Sequence, residues 1–219
     1  MCSHYLPVPT PQVLKVSFDV TPPKDLGRHD MWPGYMGLFI RRPEHAGDEA
    51  VPGCEAVLGR WGLVPHWSKD GKERNTFNAR SETAATKPSF REAWQRSQRC
   101  IIPAMGVFEP DWRSGKAVST QIVSADGQPM GIAGLWSAWK SPDGWLESYT
   151  MLTVNADQHE LMQNFHKPDE EKRMVVILPQ DRYADWLNVS PDGAGEFMQS
   201  YPAGLLHTIA PASTHNTLF

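Results

Sequence analysis

No apolar run in the sequence approaches the ~20 residues that span a bilayer. Nor does the opening Met1-Cys2-Ser3-His4-Tyr5 carry the basic stretch and apolar core of a secretion signal. Both absences point to a cytoplasmic protein and to no membrane partner. Cysteine is scarce: Cys2, Cys54 and Cys100 are three in number, without metal-type spacing, which argues against a disulfide framework or a zinc site. Neither a metal nor a cofactor is expected. There is no internal repeat and no low-complexity segment. What remains is a chain of 219 residues with ordinary apolar content, long enough for one domain with a single buried core. Its nine tryptophans are more than packing alone requires.

Positive charge is also in short supply, and the net charge of −4 speaks against a nucleic-acid partner until its distribution is considered. Between Lys69 and Arg99 stand eight basic residues and four acidic ones, a local +4 that leaves −8 for the rest. A basic face on an acidic protein suits a short, weakly salt-dependent nucleic-acid footprint. A solvated charged helix accounts for the same segment equally well.

The first 55 residues are rich in Pro and Gly and read as loop with short strands. Ala56 to Pro65 reads as a buried strand. Ser89-Phe90-Arg91-Glu92 has the form of a capping box, placing Phe90, Ala93 and Trp94 on one face of the helix that follows. Cys100 to Phe108 is a further apolar strand. Ser119–Ser124, Met130–Trp139 and Leu146–Asn155, separated by Asp126-Gly127 and Ser141-Pro142-Asp143-Gly144, suggest a meander of hairpins. Short helices are predicted over Asp157–Asn164 and from Pro179 to Leu187, with a buried strand Arg173–Leu178 between them. The sum is an α+β fold: a single domain on a curved, mostly antiparallel, barrel-like sheet with a few peripheral helices.

Chemistry is concentrated in a few places. A small side chain after Met1 favours methionine removal, which would expose Cys2 as the N-terminus. Its amine, titrating near pH ~7.7–8.0, forms Schiff bases with aldehydes, and its thiol can close on the same carbon as a thiazolidine. Alone, Cys2 is equally an unremarkable residue at a chain end. Glu109 ends an apolar strand, where desolvation would raise its pKa and suit it to proton transfer. His166 precedes the apolar run Arg173-Met174-Val175-Val176-Ile177-Leu178 and is the side chain suited to proton exchange near neutral pH. Asn75-Thr76-Phe77-Asn78-Ala79-Arg80 places two amides and a guanidinium where they can hold a backbone or phosphate, or simply make a turn.

Taken in order, Cys2, Pro33-Gly34, Arg60-Trp61-Gly62-Leu63-Val64-Pro65, Asn78-Ala79-Arg80-Ser81-Glu82-Thr83, Arg99-Cys100-Ile101-Ile102-Pro103-Ala104 with Phe108-Glu109, Thr153-Val154-Asn155-Ala156, and His166 ahead of Arg173 resemble the SRAP family. These SOS-response-associated peptidases shield abasic sites by crosslinking to them. The resemblance runs from residue 2 to about residue 190; residues 203–219 carry no function legible in the sequence. It implies a monomer whose partner is single-stranded DNA with abasic sites, nucleoid-associated when bound. Cys2 would form the crosslink and Asn78 position the amine and opened sugar. Glu109 would act as general acid/base, with a possible part in removing Met1, and His166 would assist ring opening and reversal. Arg80 and Arg173 would hold flanking phosphates, Trp67 stack on bases, and Pro33 and Gly34 shape the path by which the strand comes in. Weak strand cleavage by β-elimination is a side reaction of such chemistry. Two alternatives are an N-terminal-nucleophile cysteine peptidase or amidohydrolase and a non-catalytic single-stranded DNA binder.

Three departures from the family pattern stand out. Cys2-Ser3-His4 replaces Cys-Gly-Arg, exchanging a phosphate-binding arginine for histidine. Val107-Phe108-Glu109-Pro110 replaces Phe-Tyr-Glu-Trp, with Trp112 two residues on. Lys167 to Lys172 are inserted between His166 and Arg173.

Overall fold

The computed structural model describes residues 2–43, 53–72 and 74–210. In chain order they form β1 (Tyr5–Pro7), α1 (Pro11–Phe18), β2 (Met36–Arg41), β3 (Glu55–Trp61), β4 (Asn78–Arg80), α2 (Ser81–Ala84) and α3 (Arg91–Gln95). There follow β5 (Arg99–Asp111), β6 (Val118–Ser124), β7 (Met130–Ser141), β8 (Gly144–Asn155), β9 (Arg173–Val175), β10 (Ile177–Leu178), α4 (Tyr183–Asn188) and β11 (Leu206–Ile209). The fold is α+β, as expected: one barrel-like sheet with small helices at its margin.

Closure comes from β5, which pairs with β7 on one side and, at its first residues, with β2 on the other. β7 continues to β8, β8 to β3 and β3 to β2, so the ring returns to its start. Among the described strands, only β3 and β4 run parallel to a neighbour, β8. Phe39, Trp61, Ile102 and Tyr149 fill the interior and are fully buried; such a side chain contributes ~1.5–3 kcal/mol relative to its exposed state. Gly134 lets β7 approach its neighbours, because a Cβ there would lie 2.4 Å from the Thr150 carbonyl oxygen. β5 is buried along most of its length: β1 pairs along its edge, and Trp186 of α4 donates its indole N–H to the Cys100 carbonyl at 2.8 Å. The Arg99 guanidinium lies 4.5 Å from the Trp94 ring of α3 and 5.2 Å from the Trp186 ring of α4, joining both helices to the start of β5.

Several expectations change. The Pro-rich opening contains helix α1, started by the Thr10 side chain accepting from Val13 N–H with Pro in the first turn. β3 stops at Trp61 because Gly62 turns the chain at φ 132°. Ser89 does not cap α3; Phe90 occupies that position and Glu92 pairs with His66 and Arg96. Phe90, Ala93 and Trp94 are nonetheless all buried. The hairpins are β5–β6 and β7–β8, not a continuous meander, because β6 and β7 lie one after the other along the same edge of β5, opposite β1. The helix over Asp157–Asn164 shrinks to a turn of 3₁₀ helix at Met162–Asn164. Asp157 accepts Lys172 N–H and His159 Nδ1 accepts the N–H groups of Leu161 and Met162, side-chain bonds that compete with the helical ladder. Arg173–Leu178 breaks at Val176, where it leaves β8 for β7.

The basic segment is not an open basic face either. Arg99 is buried, while Arg74, Arg80 and Arg96 pair with Asp70, Glu171 and Glu92. Within the C-terminal stretch, Leu206–Ile209 forms β11 on the edge of β6; residues 211–219, like Met1, lie outside the described residues. No helix among the described residues is long and apolar enough to cross a membrane.

Candidate active site

β1 lies antiparallel to β5 with Tyr5 opposite Val107, and Phe108 N–H donates to the His4 carbonyl at 2.9 Å. The residues ahead of Tyr5 therefore run beside Phe108–Pro110, which brings Cys2 to Glu109 although 107 positions separate them. Cys2 is 1% exposed, and its thiol donates to the His4 carbonyl at 3.4 Å. From the other side, β4 supplies Asn78, whose Nδ2 donates to the Cys2 carbonyl at 2.6 Å. Asn78 Oδ1 is buried and accepts from no group among the described residues, a position that a bound donor would satisfy.

His166 completes the cluster. Its Nε2 lies 3.6 Å from Glu109 Oε2, and both side chains are buried. The histidine backbone adopts φ 60°, a left-handed conformation uncommon outside glycine. Two bonds hold it there: His166 N–H donates to the Pro110 carbonyl at 2.9 Å, and Nε2–H donates to the Arg173 carbonyl at 3.2 Å. Because a carbonyl only accepts, the second bond fixes the proton on Nε2. The inserted Lys167–Lys172 closes on itself, with the Lys172 ammonium donating to the Lys167 carbonyl, so the insertion leaves His166 against β5.

Burial sets the protonation states. It pushes Glu109 up to about 7 and pulls His166 down to about 4. At neutral pH the pair is a neutral imidazole beside a carboxyl group that exchanges its proton freely, not an ion pair. Burial, and then the Glu109 charge, raises the Cys2 thiol well above its ordinary range. The sulfur is thus a protonated thiol in this setting.

The other expected residues divide. Arg80, half exposed, pairs with Glu171 at 2.7 Å. Arg173 is buried and its fork is occupied: Glu82 takes two bonds of 2.9 Å, Glu171 one of 2.8 Å and the Thr153 carbonyl one of 2.7 Å. A phosphate at Arg173 would have to displace a carboxylate, whereas Arg80 faces solvent. Pro33 and Gly34 form the centre of a turn in which Tyr35 N–H donates to the Trp32 carbonyl at 3.0 Å. Pro in the second and Gly in the third position, the latter at φ 86°, is the type II pattern. Trp67 stands apart: it is 55% exposed and lines a groove of about 610 Å³ with His66, Glu92, Trp136 and Trp145, to which none of Cys2, Asn78, Glu109 and His166 contributes.

The carboxylates that occupy Arg173 escaped the sequence reading, although Glu82 sits inside the Asn-Ala-Arg-Ser-Glu-Thr run; a partner 91 residues away leaves no local pattern. Likewise hidden was the ring stack around His4, built from Trp32 and Phe108. Among the described residues no group of three or more His, Cys, Asp and Glu side chains is placed to hold a metal ion.

The profile of the family described as SOS response associated peptidase (SRAP) matches residues 1–214. The abasic site processing protein YoqW of Bacillus subtilis is 34% identical over 163 residues, covering 72% of this chain and 70% of its own. The abasic site processing protein HMCES of Gallus gallus is 27% identical over 191 residues, 76% of this chain and 55% of its own. Among solved structures, a protein from Bordetella bronchiseptica superposes with a TM-score of 0.88 at 45% identity, over 96% of this chain and all of that one.

Proposed function

This chain belongs to the SOS response associated peptidase family, and from that premise we propose that it processes abasic sites in single-stranded DNA through a covalent bond to Cys2. The observation that carries the reading is the convergence of Cys2, Asn78, Glu109 and His166 in one buried cluster. The names of its relatives YoqW and HMCES, abasic site processing proteins, support the substrate class.

In this reading Met1 is removed and the Cys2 amine becomes free. An opened abasic deoxyribose presents an aldehyde carbon, which the amine attacks to form a carbinolamine. Protonated Glu109 gives its proton to the leaving hydroxyl; water departs and an iminium remains. The Cys2 sulfur then adds to the same carbon, its proton returning to Glu109, and the thiazolidine closes with net loss of one water. Glu109 near neutrality is matched to giving and taking that proton in turn. Asn78 holds the Cys2 carbonyl, fixing the amine's position, and its Oδ1 accepts from the amine or a sugar hydroxyl. His166, neutral, takes part in opening the sugar ring. Loss of a proton from C2′ of the iminium would release the 3′ phosphate, the route to weak lyase activity. Arg80 provides the solvent-facing phosphate contact.

The raised thiol supports this order of events over an acyl-transfer peptidase. A cysteine peptidase needs a lowered thiol pKa, whereas here burial and Glu109 raise it, so the amine leads and the thiol follows. Intact mass spectrometry tests the reading. The expected product is the chain without Met1 plus one abasic strand, less one water. A product cleaved by the chain from a peptide, with no such adduct, overturns it.

A further inference from the structure

The His4 ring is clamped between two aromatic rings. Phe108 lies 4.0 Å from it at 8° and Trp32 4.2 Å at 11°, a continuous three-ring stack. Asp30 locks its outer end: His4 Nε2–H donates to Oδ1 at 2.5 Å and Trp32 Nε1–H to Oδ2 at 2.9 Å. The backbone fixes the same geometry, since Tyr5 and Met31 exchange N–H···O=C bonds of 3.1 and 3.0 Å and the Pro33-Gly34 turn follows at once. Inside, the stack ends at Phe108, next to Glu109. Outside, it ends at Trp32, which is 42% exposed although His4 covers one of its faces. The open area therefore belongs to the opposite face and edges. Tyr35, 37% exposed, stands across the same turn with the Arg28 guanidinium 4.2 Å over its ring.

A rigid stack of flat rings whose last member is bare has a natural continuation: another flat ring. His4 lies two residues from Cys2, about 7 Å along an extended chain, and a ring seated on Trp32 lies two ring spacings beyond His4, within reach of a nucleotide adjoining a sugar at Cys2. We propose that the outer face of Trp32 is a stacking site for the nucleobase directly flanking the abasic sugar, with the Arg28–Tyr35 pair beside it following the backbone. The inference rests on the functional reading above and adds to it a base-binding position. Because every base has a π-face, this site grips without reading sequence. The histidine at position 4, in place of a phosphate-binding arginine, thereby serves as the middle ring of a base-binding stack.

The probe is a set of single strands carrying tetrahydrofuran, an aldehyde-free abasic analogue, with the 5′ or the 3′ neighbour either a normal nucleotide or a second tetrahydrofuran. Equilibrium affinity is measured for the native chain, Trp32→Ala and Trp32→Phe. Removing the flanking base on one side is expected to weaken native binding by roughly 5- to 100-fold, the range base stacking supports. Trp32→Ala should lose the same factor on the normal strand and nothing further on the strand already lacking that base, while Trp32→Phe keeps most of it. Equal native affinity for all strands overturns the site. So does a Trp32→Ala loss that persists undiminished when both flanking bases are gone, since Trp32 would then merely support His4. Crosslinking of aldehyde strands with the same flanks is scored in parallel. No adduct on any strand overturns the functional reading, whereas adducts without coupling between Trp32 and a base overturn only the stacking site.

Discussion

The Asn78 amide donates to the Cys2 carbonyl at 2.6 Å, a bond between a β4 side chain and the second residue of the chain. It ties Cys2 to β4, and through β4 to β8, where Asn78 lies opposite Met151. A chain terminus is ordinarily the least ordered part of a domain; this bond and the β1–β5 pairing make it part of the core. Asn78→Ala is expected to slow adduct formation by about 100-fold, the scale of a small misplacement of a reacting group, while costing about 1 kcal/mol of stability. Single-turnover crosslinking kinetics beside urea denaturation separates the two.

The buried acid and histidine impose opposite pH dependences on stability. Glu109 rises from 4.5 to about 7 on folding, so its stabilising neutral form is fully present below pH 4.5 and is lost as pH climbs through 7. His166 falls from 6.5 to about 4, so its contribution is present above 6.5 and is lost as pH drops toward 4. Between pH 4.5 and 6.5 the two slopes oppose each other. Glu109→Gln removes one of them: the variant should gain up to about 3 kcal/mol relative to native at pH 8, and its stability should rise steadily from pH 4.5 to 6.5. Denaturant midpoints across this range check the sign, and parallel native and variant curves contradict it.

Arg80 and Arg173 should behave differently although both are basic and both touch Glu171. Arg80→Ala is expected to weaken single-stranded DNA binding on all sequences alike and to reduce the salt slope by about 0.7, the value for one phosphate contact. Arg173→Ala should instead cost stability, about 2 kcal/mol, less than a fully buried pair because Glu82 is half exposed. Binding titrations at several salt concentrations and thermal unfolding of both variants distinguish the roles.

Barrel closure depends on Gly134. A methyl group there would meet the Thr150 carbonyl oxygen, Ile102 Cδ1 and Cys100 Sγ at 2.4, 2.5 and 2.9 Å, of which the first is backbone. Gly134→Ala should destabilise by roughly 1–3 kcal/mol with little change in adduct formation per folded molecule. An unchanged midpoint would show that β7 and β8 are not packed this closely.

How much of this was legible in the sequence depended on range. The apolar strands and the buried face of Phe90, Ala93 and Trp94 follow from local pattern, as does Glu109, a carboxylate that an apolar strand carries inward. α1 was legible too, in Thr10-Pro11, but a Pro-rich context concealed it. What local pattern could not supply was partnership. The capping box failed because Glu92 serves His66 and Arg96 instead. A basic segment became a set of paired charges because Asp70, Glu92 and Glu171 face it. His4 looked like a lost phosphate contact because its ring partners lie 28 and 104 residues away. Such long-range pairings follow from closing the barrel, which no window of sequence encodes.

The central claim, that the bond to DNA is made by Cys2, is tested most directly on a denaturing gel. Native protein, Cys2→Ala and Cys2→Ser are each mixed with a uracil-containing single strand treated with uracil glycosylase, with and without borohydride. The native chain should give a slow, heat-resistant band without reductant. Cys2→Ser, which keeps the amine but cannot close a thiazolidine, should give a band only with borohydride. Cys2→Ala should give none without reductant. A native-like, reductant-independent band from Cys2→Ala, or no band from native protein shown by mass to lack Met1, would contradict the account.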